Sequence, residues 1–150
     1  MFDEGISISE ILKTEGEVMQ STSGTSMYPM LRHRRDMVII EPVNRKLKKH
    51  DVPLYVLPSG KLVLHRILKV TDNGYIIRGD NLYEKEYNIT DNNIIGVLKA
   101  FCRNGKYYDC ATSKKYHAYI VFSRLSYPLR YMWKKVIHPI LSKIKHTIFK

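Results

Sequence analysis

Two side chains in this sequence have the type and setting to do chemistry together: Ser26 and His65, 39 positions apart. A serine hydroxyl becomes a nucleophile when a base takes its proton. A neutral imidazole, with a reference pKa of about 6.5, can do that at neutral pH without special tuning. Ser26 follows the small polar run Ser21-Thr22-Ser23-Gly24-Thr25 and precedes Met27-Tyr28-Pro29-Met30-Leu31, beyond which lies a basic patch, Arg32 to Arg35. Gly24 permits backbone angles that a side chain would forbid. Pro29 fixes its own φ and biases Tyr28 away from the helical region, predicting a stiff, extended exit that holds the serine at a surface. On these residues alone, a Ser/Thr-rich loop leading into a turn explains the segment more readily than a nucleophile site does. A lone strand histidine is likewise more often structural or exposed than catalytic.

The elements that must position the pair read as a series of β-hairpins. A short helix is expected over Ile6 to Glu17 with Ser9 as a cap, then a strand over Val18 to Thr22 leading into the Ser26 loop. Met37-Val38-Ile39-Ile40 is a short buried strand closed by Pro42, and Asn44 to His50 a solvated basic loop. Val52 to Leu57, the turn Pro58-Ser59-Gly60 and a long strand Lys61 to Thr71 follow. Asp72-Asn73-Gly74 turns into Tyr75 to Arg78. An irregular acidic segment separates these from a hairpin of Ile94 to Arg103 and Lys106 to Cys110 around Asn104-Gly105. Alternation along the long strand puts Leu62, Leu64, Leu68 and Val70 on a core face interrupted by Arg66. Val63, His65, Ile67 and Lys69 take the opposite face, where an extended peptide could lie. Lys69 is the rival base, but it sits roughly 13 Å along the strand from His65 at about 3.3 Å per residue, so both cannot serve one serine.

Four ordered segments carry a resemblance: Gly24-x-Ser26-Met27-x-Pro29-x-Leu31, Arg35-Asp36-x-Val38, Val63-Leu64-His65-Arg66-Ile67 and Arg78-Gly79-Asp80-Asn81. Together, over about Gly24 to Gly96, they resemble the ordered boxes of the serine peptidase group that contains signal peptidase I and the self-cleaving repressors. The resemblance implies a mainly β fold, a curled β-meander, with Ser26 as nucleophile. It implies His65 at the base position, as in the endoplasmic-reticulum and archaeal branch, where most bacterial members carry lysine. A supporting acid in that branch maps near Asp80, and a second acid a few residues on falls among Glu84, Glu86 and Asp91; Asp80 and Glu86 are the candidates. The Ser26 backbone N–H is the implied oxyanion donor. Gly24 replaces the serine that many signal peptidases carry two residues before the nucleophile. The usual N-terminal membrane anchor is not expected here, nor a DNA-binding domain or a self-cleavage dipeptide.

Charge divides the chain. Residues 110–150 hold nine of the 25 Lys/Arg and none of the 14 Asp/Glu, leaving the first 109 residues near neutral. We therefore expect a β domain over 1–112 and a basic amphipathic helical tail over 113–150, broken at Pro128 and Pro139. Ala118, Val121, Phe122, Leu125, Trp133, Val136, Ile137, Ile140, Leu141, Ile144 and Ile148 set its helical period. Such a tail suits an anionic membrane surface or its own sheet, and nucleic acid is disfavoured because no binding module is recognisable. Neither a secretory signal nor a membrane-spanning run is read, so a cytoplasmic or peripheral membrane location is expected. Cys102 and Cys110 are expected as free thiols, with Cys102 opposite Tyr107. No cofactor and no metal are expected. The favoured function is a Ser26/His65 endopeptidase that cleaves extended signal- or leader-type peptides. The alternative is a non-catalytic basic adaptor of the same fold that binds a membrane or an acidic partner.

Overall fold

The computed structural model describes residues 8–137 and residue 139. The chain divides into two compact units, Met1–Tyr116 and His117–Lys150. The first unit is mainly β, a curled antiparallel half-barrel preceded by a short helix. Helix α1 (Ile8–Glu15) buries Ile8 and Leu12, four apart on one face. The strands follow as β1 (Val18–Ser21), β2 (Met37–Glu41), β3 (Pro53–Val56), β4 (Leu62–Leu64), β5 (Arg66–Thr71), β6 (Gly74–Arg78), β7 (Glu86–Ile89), β8 (Ile94–Arg103) and β9 (Lys106–Asp109). One sheet runs in the order β1-β2-β8-β3-β4, with β9 pairing β8; the other runs β5-β6-β7. Tyr55, Ile67, Tyr75, Ile77, Ile89 and Val97 form a buried cluster between them.

The expected long strand over Lys61 to Thr71 is two strands in two sheets. Leu62 and Leu64 pair with Val56 and Leu54, whereas Arg66 pairs with Arg78. His65 is the single residue at the crossing. A second irregularity between Ile67 and Lys69 shifts the register again. The alternation expected there fails for that reason: Ile67 is fully buried and Val70 is 45% exposed, opposite to the assignment made from spacing.

Other departures are smaller. The acidic segment contains strand β7, whose mixed composition concealed it. Leu47, in the basic loop, is buried in the core cluster. Ser26 to Met30 form a turn rather than an extended exit, with a cis Tyr28–Pro29 peptide and Leu31 N–H donating to the Met27 carbonyl at 2.9 Å. Cys102 does face Tyr107, and both cysteines are free.

Helix α2 (Lys114–Met132) begins in the first unit and makes up most of the described part of the second. It runs through Pro128 rather than breaking there. The Arg130 guanidinium reaches back to the Ser123 carbonyl at 3.2 Å. A π-helical turn, Trp133–Ile137, follows. Ile140, Leu141, Ile144 and Ile148 lie outside the described residues. Among the described residues, no helix is long and apolar enough to cross a membrane.

Candidate active site

The loop that carries Ser26 is laced at its stems. Thr22 N–H donates to the Asp36 carbonyl at 3.0 Å, Arg34 N–H to the Thr22 carbonyl at 2.8 Å, and the Thr22 hydroxyl to the Arg32 carbonyl at 2.6 Å. Asp36 is fully buried beneath this lacing. It accepts the Arg35 guanidinium at 2.6 and 2.9 Å and the Arg32 N–H at 3.0 Å. Burial opposes its charge, but the Arg35 contact and the Arg32 N–H prevail and hold the carboxyl below its ordinary value. Gly24 adopts the left-handed conformation, φ +82°, and its N–H donates to His33 Nδ1 at 2.9 Å.

The Gly79-Asp80-Asn81 segment docks on the same loop from the other side. Asn81 N–H donates to the Ser26 carbonyl at 2.8 Å, and the Asn81 side-chain amide to the Thr25 carbonyl at 3.1 Å. The approach is close enough that a Cβ on Gly79 would stand 2.7 Å from the Ser26 carbonyl oxygen. Asp80 does not face the imidazole. It forms a buried two-point ion pair with Arg66, 2.8 Å at both contacts. Arg66 also donates to the His50 carbonyl at 3.0 Å and to the Tyr116 hydroxyl at 2.9 Å. This network raises the Arg66 pKa despite its burial.

Glu86, at the start of β7, is the carboxylate that meets His65. His65 Nδ1 lies 2.7 Å from Glu86 Oε1, with the ring 4% exposed and the Glu86 side chain 24% exposed. Tyr55, from β3, completes the cluster: its hydroxyl donates to Glu86 Oε2 at 2.5 Å and stands 3.0 Å from His65 Nδ1. Burial first, and the Glu86 contact second, push the Tyr55 phenol far above its ordinary pKa. Of the remaining acids, Asp91 accepts the Tyr75 hydroxyl at 2.6 Å and Glu84 is exposed. Lys69 is exposed on β5.

Ser26, His65 and Glu86 line one cavity of about 630 Å³. Its strand walls are mostly apolar, with Val18, Val38, Ile40, Leu54, Leu62 and Leu64 among them; the polar run Gln20 to Thr25 lines another part, and Lys61 is the other charged side chain there. β1 and β4, the two end strands of the larger sheet, both contribute. Among the described residues, neither the Ser26 hydroxyl nor its amide N–H has a hydrogen-bond partner within the protein. The described residues contain no cluster of side chains suited to a metal ion. Tyr55 escaped the sequence reading because a tyrosine in an apolar strand has no chemical spacing signal. The register of the Pro58-Ser59-Gly60 hairpin, which sets Tyr55 opposite Val63, would have brought it near His65.

No protein-family model and no curated protein matches the chain.

Proposed function

We propose that the chain is a serine endopeptidase with Ser26 as nucleophile, His65 as general base and Glu86 as the acid that orients the imidazole. One observation carries this reading. Three residues from a loop, a strand crossing and a distant strand converge on one cavity, and the imidazole's Nδ1 is held by a carboxylate at 2.7 Å. That contact directs Nε2, the other ring nitrogen, to the proton-transfer role. Asp80, paired to Arg66, supports the loop rather than the proton transfer.

Ser26 Oγ attacks the scissile carbonyl carbon while its proton passes to His65 Nε2. The Ser26 backbone N–H donates to the oxyanion in this reading. Collapse breaks the C–N bond, and His65 returns the proton to the leaving amine. Water, deprotonated by His65, then attacks the acyl carbon; the bond to Ser26 Oγ breaks and His65 returns the proton to Oγ. The apolar walls and the two end strands favour an extended, uncharged stretch of peptide that adds its backbone to a sheet edge, as a signal- or leader-type substrate would present.

The test is covalent labelling of the full chain by a peptidyl phosphonate, alongside cleavage of candidate leader peptides. The expected result is an adduct on Ser26, abolished in Ser26→Ala and slowed by roughly 10²- to 10⁴-fold in His65→Ala. Labelling and cleavage unchanged by both substitutions would sink the reading.

The adaptor alternative is favoured by a different observation, the exposed apolar residues Val121, Phe122, Leu125, Leu129 and Met132 of α2 and Trp133 just beyond it. That surface also fits the peptidase reading, as a docking element for an anionic membrane.

A further inference from the structure

We propose that Tyr55 is a positioning residue of this site: by donating its hydroxyl proton to Glu86, it places the mobile proton of His65 on Nδ1 and leaves Nε2 as the basic nitrogen. The inference rests on the peptidase reading for its consequence in catalysis, but its core concerns a tautomer and is measurable without any substrate.

Three polar groups meet in a buried corner. The Tyr55 hydroxyl, fully shielded from solvent, has one proton and two neighbours that could receive it, Glu86 Oε2 at 2.5 Å and His65 Nδ1 at 3.0 Å. The two choices give opposite sites. A proton donated to His65 would require a bare Nδ1, so the neutral ring would carry its hydrogen on Nε2 and could not accept one there. A proton donated to Glu86 leaves the phenolic lone pairs and Glu86 Oε1 both facing Nδ1, as two acceptors for an Nδ1–H. The shorter contact, and the stronger acceptor, is the carboxylate. The phenol cannot evade the choice by ionising, since burial and Glu86 keep it protonated.

The same donation holds the Glu86 carboxylate in place, with Oε1 kept against Nδ1. Among the described residues, Tyr55 and Glu86 are the groups bonded to the ring, and Lys61 is the further charged group on the cavity wall. Tyr55→Phe keeps the ring in the core and removes only the hydroxyl.

The experiment is a ¹⁵N NMR titration of the histidines in the full chain, with His65 assigned by its loss in His65→Gln. The expected result is an Nδ1–H tautomer for neutral His65. In Tyr55→Phe, which removes one acceptor and frees the carboxylate that the phenol held, the Nε2–H tautomer should become detectable. If Ser26 is active, kcat in Tyr55→Phe should fall roughly three- to tenfold at unchanged KM. An Nε2–H tautomer in the parent, or an Nδ1–H tautomer unchanged in a folded Tyr55→Phe, overturns the proposal. Absence of peptidase activity with the expected tautomers would instead count against the peptidase reading alone.

Discussion

The two acids expected at the site, Glu86 and Asp80, have partners that give them different work. Glu86 holds an imidazole and a phenol at a partly exposed position, whereas Asp80 is locked into a buried pair with Arg66. Glu86→Gln should keep the fold and remove the acceptor for the imidazolium, lowering kcat by roughly 10- to 100-fold at a melting temperature close to the parent's. Asp80→Ala should do the reverse in emphasis. It strands a buried guanidinium, and breaking such a pair costs about 3–5 kcal/mol, readable as a lower urea midpoint. Steady-state kinetics with parallel denaturation separates the two, and equal stability loss in both variants would contradict the assignment. Before the structure, spacing could name both acids but not rank them. Rank depends on which strand each one joins, and β7 is invisible in the composition of Glu86-Tyr87-Asn88-Ile89.

At the scale of elements, the site depends on a chain that changes sheets at His65. β4 ends on the larger sheet, β5 begins on the smaller, and the residue between them turns inward to the junction. The hairpins at Asp72-Asn73-Gly74 and Asn104-Gly105 were legible because their turn residues act locally. The crossing was not, because a period-two pattern carries no mark of the residue at which a strand exchanges partners. The Gly79 segment was legible as a motif, but its physical role emerges only from contact: its backbone lies against the Ser26 carbonyl, and Asn81 bonds to that carbonyl. Gly79→Ala should push the two loops apart. We expect a loss of about 1–3 kcal/mol in stability and a disproportionate fall in Ser26 labelling. Labelling at the parental rate would show that this docking does not hold Ser26 in place.

At the scale of the molecule, charge and exposed apolar surface coincide in the second unit. Successive residues of an α-helix are 100° apart, so Val121, Phe122, Leu125, Leu129 and Met132 share one stripe about 100° wide. Segregation around the whole helix is modest, because Ile120 and several tyrosines occupy the other side. Exposure is the stronger argument: Phe122, Leu125 and Leu129 are each more than 60% exposed, in a region without a single acidic residue. Large apolar side chains beside unopposed Lys and Arg suit an anionic bilayer interface, where the stripe leaves water and the cations meet headgroups. The full chain should sediment with vesicles containing phosphatidylserine and remain free with phosphatidylcholine vesicles. Added salt should weaken the electrostatic part, since the Debye length falls from about 10 Å at 0.1 M to about 3 Å at 1 M. Leu125→Glu should release the protein without altering peptidyl phosphonate labelling of Ser26, because residue 125 belongs to the second unit and the cavity to the first. Binding that persists in Leu125→Glu at high salt would mean that another surface holds the membrane. Loss of Ser26 labelling in the same variant would mean that the tail acts on the chemistry as well as on location.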